Sequence, residues 1–211
     1  MATVPLDKPE GRQILDSLIG QPGMLGVRLT FHHEHDQKWI SDGTADWFWP
    51  VAEKAGIPVM MNAPSVLKEV GEVAQRHPSL RLIIDHMGRL KGMKDEKLGL
   101  GIAQTMELAK HPNIFVKLTS TQSCSSEDYP YRNIHPHLKR LIEAYSPRRC
   151  FWGTDLSAML GRTKCTYRQA VTMFLEEMDF LSQDDLEWIM GRGLAECLPW
   201  PVAPGLLKKA A

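Results

Sequence analysis

The chain has 211 residues, a formal net charge of zero and 43% hydrophobic residues. This length is compatible with one large domain or two small ones, and the apolar content is high enough to build a core, which excludes a disordered chain. Lysine and arginine are spread along the sequence, so nothing favours a nucleic-acid-binding face. The sequence lacks both a run of about 18 apolar residues that could span a membrane and the apolar segment of a secretory signal.

The cysteines are scattered without a CxxC pair, at Cys124, Cys150, Cys165 and Cys197. This spacing does not indicate a zinc ribbon or a redox motif, and reduced thiols are the simpler interpretation. We therefore expect a cytoplasmic protein that has no nucleic-acid or membrane partner. Homo-oligomer formation is compatible with the sequence.

Five segments have the β-branched and aromatic composition of short strands. In chain order they are Gly26–Phe31, Ile57–Met61, Arg81–His86, Ile114–Thr119 and Cys150–Asp155, with a weaker candidate near Thr3–Leu6. Helices are predicted between and after them, over Asp46–Lys54, Ser65–Arg76, Glu96–Lys110 and from a capping box at Ser182–Asp185 to about Leu198. The alternation of strands and helices is typical of a parallel sheet covered by helices.

Two α/β architectures share this alternation. An open doubly wound sheet usually carries a glycine-rich phosphate loop, and the sequence has neither GxGxxG nor GxxxxGK[ST]. A complete (β/α)8 barrel typically needs about 250 residues. The five firm strands and the weaker candidate make about five or six β/α units, fewer than a complete barrel has, so both architectures stay open on the residues alone.

The third predicted strand ends in Asp85-His86. Strand alternation puts His86 on the face of Leu82 and Ile84, which we predict to fill the barrel interior, so that His86 stands at its mouth. Asp85 is then predicted to face the helices. The structural alternative for His86 is a hydrogen-bonding group without a catalytic role.

Three more polar residues lie in or at the end of predicted strands. Asp155 ends the last strand, where it could either act in catalysis or cap the following helix. An inward Arg28 could hold an anionic substrate through two hydrogen bonds, or pair with a carboxylate of the protein. Asn62 ends the second strand and could present its amide to a ligand. The spacing of His33 and His35 also permits zinc binding, but a solvated loop is the favoured interpretation.

The ordered segments resemble the amidohydrolase-related (amidohydrolase 2) family of TIM-barrel hydrolases, and within it the 2-pyrone-4,6-dicarboxylate lactonase-like branch. They are GVRLTF, AEKAGIPVMM, AQRHPSLRLIIDHMGR, HPNIFVKLTS, SPRRCFWGTD and IMGRGLAECLPW, and together they extend from about Gly23 to Trp200. The resemblance implies that the five strands are the fourth to eighth of a (β/α)8 barrel. It also implies one domain over residues 1–211 that lacks the first strands.

The resemblance assigns roles residue by residue. Asp155 matches the aspartate that binds and activates the attacking water. His86 matches a histidine that is a metal ligand in metal-dependent members and a substrate contact in metal-free ones, and Arg28 matches an arginine that anchors a substrate carboxylate. The implied function is hydrolysis of a small carboxylated lactone or ester by water that Asp155 activates.

The sequence departs from the family at its start. The family begins with a His-x-His pair on the first strand, and nothing before Gly23 supplies one. We therefore expect no tightly bound metal, with zinc on His86 and Asp155 as the alternative if further ligands are supplied. The alternative functions are a non-catalytic barrel remnant that binds a ligand or partner, and a metal-dependent amidohydrolase or decarboxylase.

Overall fold

The fold is built on parallel strands that pair in their order along the chain. The computed structural model describes residues 1–198 and Trp200. Within these residues the strands are β1 Val27–Thr30, β2 Val59–Asn62, β3 Leu82–Ile84, β4 Ile114–Thr119 and β5 Cys150–Gly153, in the order β1-β2-β3-β4-β5. This order shows no reversal in the described sheet, whereas a doubly wound sheet reverses its order at a switch point. The predicted fold of the TIM-barrel type is confirmed.

The described strands correspond to the five firm predictions, with ends that differ by up to two residues. The weak strand predicted near Thr3–Leu6 is wrong, because in the described chain only Ala2 pairs there, in a single parallel bridge to Val27. The predicted domain over 1–211 includes Pro199 and residues 201–211, which lie outside the described residues, and the last matching segment includes Pro199.

Helices connect the strands and follow the last one. They are α1 Glu10–Leu18, α2 Glu34–Lys38, α3 Phe48–Lys54, α4 Leu67–Arg76, α5 Glu96–Gly101, α6 Ala103–Glu107, α7 His135–Tyr145, α8 Leu156–Arg162, α9 Tyr167–Leu175, α10 Gln183–Glu187 and α11 Gly193–Cys197. Short 3₁₀ turns are Asp85–Gly88, Leu108–Lys110, Thr121–Cys124, Arg132–Ile134 and Pro147–Arg149, and a π-helical turn, Trp188–Arg192, joins α10 to α11. Among the helices of the described chain, none is both long and apolar enough to cross a lipid bilayer.

The capping box predicted at Ser182–Asp185 is confirmed, since the Ser182 side chain accepts from the Asp185 amide at the start of α10. The single helix predicted over Glu96–Lys110 is wrong, because it is divided at Ile102 into α5 and α6. Glycines at 99 and 101 weaken helical propensity there.

The two faces of the sheet bury different sets of residues. Leu82 and Ile84 belong to the main hydrophobic cluster, together with helix residues such as Val73 and Leu141. Ile83 belongs instead to a second cluster, on the inner face, with Phe151, Cys197 and Leu198, against which Met60 and Phe115 pack. The prediction that Leu82 and Ile84 fill the barrel interior is therefore wrong, since β3 has the opposite phase. The same alternation directs Asp85 inward, and its predicted position facing the helices is wrong too.

Candidate active site

A cavity of about 600 Å³ opens at the carboxyl ends of the strands. Its lining includes all four site residues that the sequence predicts, Arg28, Asn62, His86 and Asp155. Arg28 lies on β1, Asn62 ends β2, and His86 and Asp155 each lie two residues beyond the end of a strand. This is the end at which barrel enzymes place their catalytic groups. The structure thus brings together side chains that are separated by up to 127 positions in the sequence, from 28 to 155.

His86 reaches the cavity because the backbone turns sharply after β3. Its φ is 50° and that of Met87 is 59°, both in the left-handed region that non-glycine residues rarely adopt. The turn is held by a hydrogen bond of 2.9 Å from the Thr105 hydroxyl to the Met87 carbonyl. Strand alternation therefore ends at Asp85, and this residue and His86 can both reach the inner side of the sheet.

The imidazole of His86 lies 2.8 Å from the Thr119 hydroxyl through Nδ1. Burial lowers the pKa of His86, and this effect exceeds the opposing influence of the Asp85 and Asp155 carboxylates, which raise it. The ring is therefore neutral at neutral pH. When Thr119 donates its hydroxyl proton to Nδ1, Nε2 carries the ring hydrogen and can donate it to a ligand.

Asp155 lies in another left-handed turn, with a φ of 54°, at the start of α8. Its side chain makes no capping hydrogen bond, so the carboxylate does not cap α8. Its Oδ2 accepts from the Ser120 hydroxyl at 2.7 Å. Within the described residues Oδ1 has no hydrogen-bond partner, which leaves it able to accept a proton from a water in the cavity.

Arg28 both lines the cavity and pairs with a carboxylate of the protein. Its Nε and Nη2 each lie 2.9 Å from Oδ2 of Asp85, and the Arg28 side chain is 40% exposed. Lys117 on β4 donates to Oδ1 of the same Asp85 at 2.8 Å. One buried carboxylate thus holds two cations on the inner face of the sheet.

The cavity is also lined by polar residues that were not predicted from the sequence as site residues. Arg89 donates from Nη2 to the Ser123 hydroxyl at 2.8 Å, whereas its buried Nε has no hydrogen-bond partner among the described residues. The feature of the sequence that could have identified Arg89 is the DHMGR segment, in which Arg89 follows His86 by three positions. His32 was also missed, and its Nε2 accepts from the Asn62 amide at 3.1 Å.

The described residues do not supply a metal centre. They contain no group of three histidine, cysteine, aspartate or glutamate side chains that could hold an ion. His86 and Asp155 would contribute two ligands, but catalytic zinc usually takes three protein ligands and a water. His33 and His35 stack on each other at 5.7 Å at the exposed start of α2, so the predicted loop is in fact a helical turn. The donors present in the described chain do not match a zinc site, so the reaction proposed for this chain uses no metal.

Comparison with known proteins identifies the family. The sequence model of the amidohydrolase family matches residues 1–192. The chain belongs to the amidohydrolase family. This match extends over the cavity and every strand described above.

Two curated relatives of this amidohydrolase are named as lactone or dicarboxylate hydrolases. It is 24% identical over 160 residues to the L-fucono-1,5-lactonase of Burkholderia ambifaria, which covers 72% of this chain and 52% of the relative. It is 31% identical over 85 residues to the 2-pyrone-4,6-dicarboxylate hydrolase of Comamonas testosteroni, which covers 35% of this chain and 27% of the relative. The chain thus spans about half the length, or less, of these relatives.

A solved amidohydrolase from Burkholderia multivorans, which has bound zinc, resembles this chain in fold. The TM-score is 0.78 at 20% sequence identity, and the match covers 93% of this chain and 72% of the other. At this identity the likeness concerns the fold alone. It agrees with the strand order described above.

Proposed function

We propose that this amidohydrolase hydrolyses a small carboxylated lactone, using a water that Asp155 activates. The observation that carries the proposal is the single cavity where Asp155 and His86 lie beside two arginines, Arg28 and Arg89. A lactone offers this site a carbonyl for attack and a carboxylate for the arginines. The names of the two relatives, a lactonase and a dicarboxylate hydrolase, support this substrate class.

In the proposed reaction, Oδ1 of Asp155 takes a proton as the water oxygen attacks the lactone carbonyl carbon. The ring C–O bond then breaks, and the proton moves from Asp155 to the departing oxygen, so that the product carries a carboxyl and a hydroxyl group. Ser120 keeps Oδ2 occupied, at 2.7 Å, which directs the other carboxylate oxygen to the water.

His86 stabilises the negative charge that develops on the carbonyl oxygen. Its Nδ1 contacts Thr119, and a neutral ring can donate from Nε2 without leaving a buried charge behind. A donor fixed in this way before the reaction costs little reorganisation in the transition state. No proton transfer to or from His86 is required.

Arg28 and Arg89 bind the carboxylate of the substrate. Arginine presents parallel N–H groups that match a carboxylate. Arg28 and Arg89 both line the cavity, where they offer an anion charge-assisted hydrogen bonds.

The substitution Asp155→Asn tests the role of the base. The amide keeps the shape of the side chain but cannot take the proton, so kcat for lactone hydrolysis should fall by about 100-fold or more. The control is Asp184→Asn, on the exposed first turn of α10 and outside the cavity, which should leave kcat unchanged. Near-normal kcat in a folded Asp155→Asn chain would contradict the assignment.

A further inference from the structure

Asp85 is a buried charged group for which the proposed reaction has no use. Its side chain is 1% exposed, yet both of its oxygens are occupied by cations. Oδ2 accepts from Nε of Arg28 and lies 2.9 Å from its Nη2, and Oδ1 accepts from Nζ of Lys117. A carboxylate buried in this way is tolerated because two charged partners compensate its desolvation.

The sheet register explains why Asp85 controls the position of Arg28. Arg28, Met60, Ile83 and Phe115 lie at one level across β1 to β4, because each is paired with the next. Asp85 lies two residues beyond Ile83, on the same face and closer to the cavity. To reach Asp85, the Arg28 side chain must therefore extend towards the carboxyl ends of the strands.

The pairing also determines which donors of Arg28 remain for a ligand. A guanidinium has five N–H groups. Nε donates one to Asp85, and Nη1 donates a second to the Thr30 hydroxyl at 3.3 Å. With respect to the described residues, this leaves one N–H on Nη1 and both on Nη2, enough to bind one carboxylate through two hydrogen bonds.

We propose that Asp85 is a positioning residue that aims Arg28 at the carboxylate of the substrate. This inference rests on the proposed function in that Arg28 binds a substrate anion. Lys117 balances the charge of Asp85 and does not set the direction of Arg28. The competing explanation is that only the net charge of the cluster matters, which is one positive charge from two cations and one carboxylate.

Two substitutions separate aiming from charge, because they change the net charge in opposite directions. Asp85→Asn raises it by one, and Lys117→Gln lowers it by one while keeping a donor for Oδ1. If charge alone attracts the ligand, the first variant binds an anion more tightly and the second more weakly. If Asp85 aims Arg28, the first binds more weakly and the second binds as before.

The probe is 2-pyrone-4,6-dicarboxylate, and its Kd is measured by calorimetry in an Asp155→Asn background so that turnover does not consume it. We expect Asp85→Asn to raise Kd by about 30-fold and Lys117→Gln to change it by less than about threefold. In chains with Asp155 intact, KM for the uncharged L-fucono-1,5-lactone should stay the same in both variants, a result that general loss of structure would not give.

Several outcomes would overturn the inference. They are an unchanged or lower Kd in Asp85→Asn, a loss in Lys117→Gln as large as in Asp85→Asn, and no binding of the dicarboxylate in the background chain. If Asp85→Asn does not fold, Lys117→Gln still distinguishes the two explanations. Weaker binding of the dicarboxylate in Lys117→Gln supports the net-charge explanation, and unchanged binding supports the positioning of Arg28 by Asp85. Binding that follows the expected pattern without any turnover in the Asp155 chain would contradict the proposed function and leave the role of Asp85 standing.

Discussion

Three residues that follow strands adopt the left-handed backbone conformation at the cavity. They are His86, Ser120 and Asp155, with φ values of 50°, 56° and 54°. Such a conformation costs a non-glycine residue roughly 1–3 kcal/mol and persists where the surrounding structure holds it. The turns at His86 and Ser120 redirect side chains that strand alternation alone would place on the outer face, whereas alternation from Phe151 already places Asp155 on the inner face. The sequence identified His86 and Asp155 through their positions at strand ends, but nothing in it revealed these turns, which is why the phase of β3 was predicted wrongly.

The pKa of His86 predicts how the rate responds to acid. Because burial lowers this pKa below the ordinary value of 6.5, the ring is mostly neutral at neutral pH. Protonation removes the neutral donor at lower pH. We therefore expect kcat/KM, which reports groups of the free enzyme, to have an acid limb from His86 with its midpoint below pH 6.5. The measurement is the pH profile of kcat/KM for the native chain and for His86→Gln, which should lack that limb. An acid limb with its midpoint above pH 6.5 that disappears in His86→Gln would contradict the account.

Among the individual elements, β5 illustrates how closely the strands approach each other beneath the cavity. A Cβ atom on Gly153 would lie 2.7 Å from Cγ2 of Thr119 on β4, which is closer than two carbon atoms can pack. Thr119 is the residue that contacts Nδ1 of His86. The absence of a side chain at position 153 therefore helps to hold the imidazole of His86 in place.

Gly153→Ala should destabilise the fold by about 1–3 kcal/mol and lower kcat, because the β-branched Thr119 must shift away from His86. The matched control is Gly161→Ala in α8, where a Cβ atom meets nothing within 4 Å. That change should stabilise the helix by up to about 1 kcal/mol. Thermal unfolding and kcat are measured for both variants. Equal Tm values for Gly153→Ala and the native chain would show that Thr119 is not restrained in this way.

Over the whole molecule, local pattern gave the five strands in their order and the regions of α3 to α6, α10 and α11. It did not give α1, α2, α7, α8 or α9, for which no helix was predicted. Long-range contacts were not visible in these patterns. The ion pairs of Asp85 join residues 57 and 32 positions apart, and the inner cluster brings Cys197 and Leu198 against Ile83. Such contacts depend on how the strands are arranged in three dimensions, which the composition of a single segment does not encode.

The cavity residues were predictable to the extent that each one lies in or ends a strand. Because the parallel strands of a barrel all end at the same opening, strand ends alone were enough to predict Arg28, Asn62, His86 and Asp155. Arg89 and His32 lie in the turns beyond the strands, where no periodic pattern assigns a direction to a side chain. Their contribution to the site therefore had to come from the three-dimensional structure.

The most direct test of the proposed function is the kcat/KM of the purified chain for two lactones, 2-pyrone-4,6-dicarboxylate and the uncharged L-fucono-1,5-lactone. Near-UV circular dichroism first establishes that the chain is folded. We predict hydrolysis of both, with a preference of about 100-fold or more for the dicarboxylate, since the two arginines each gain a carboxylate partner. A folded chain that hydrolyses neither lactone, or that prefers the uncharged one, would contradict the proposal that this cavity is the active site of a carboxylated-lactone hydrolase.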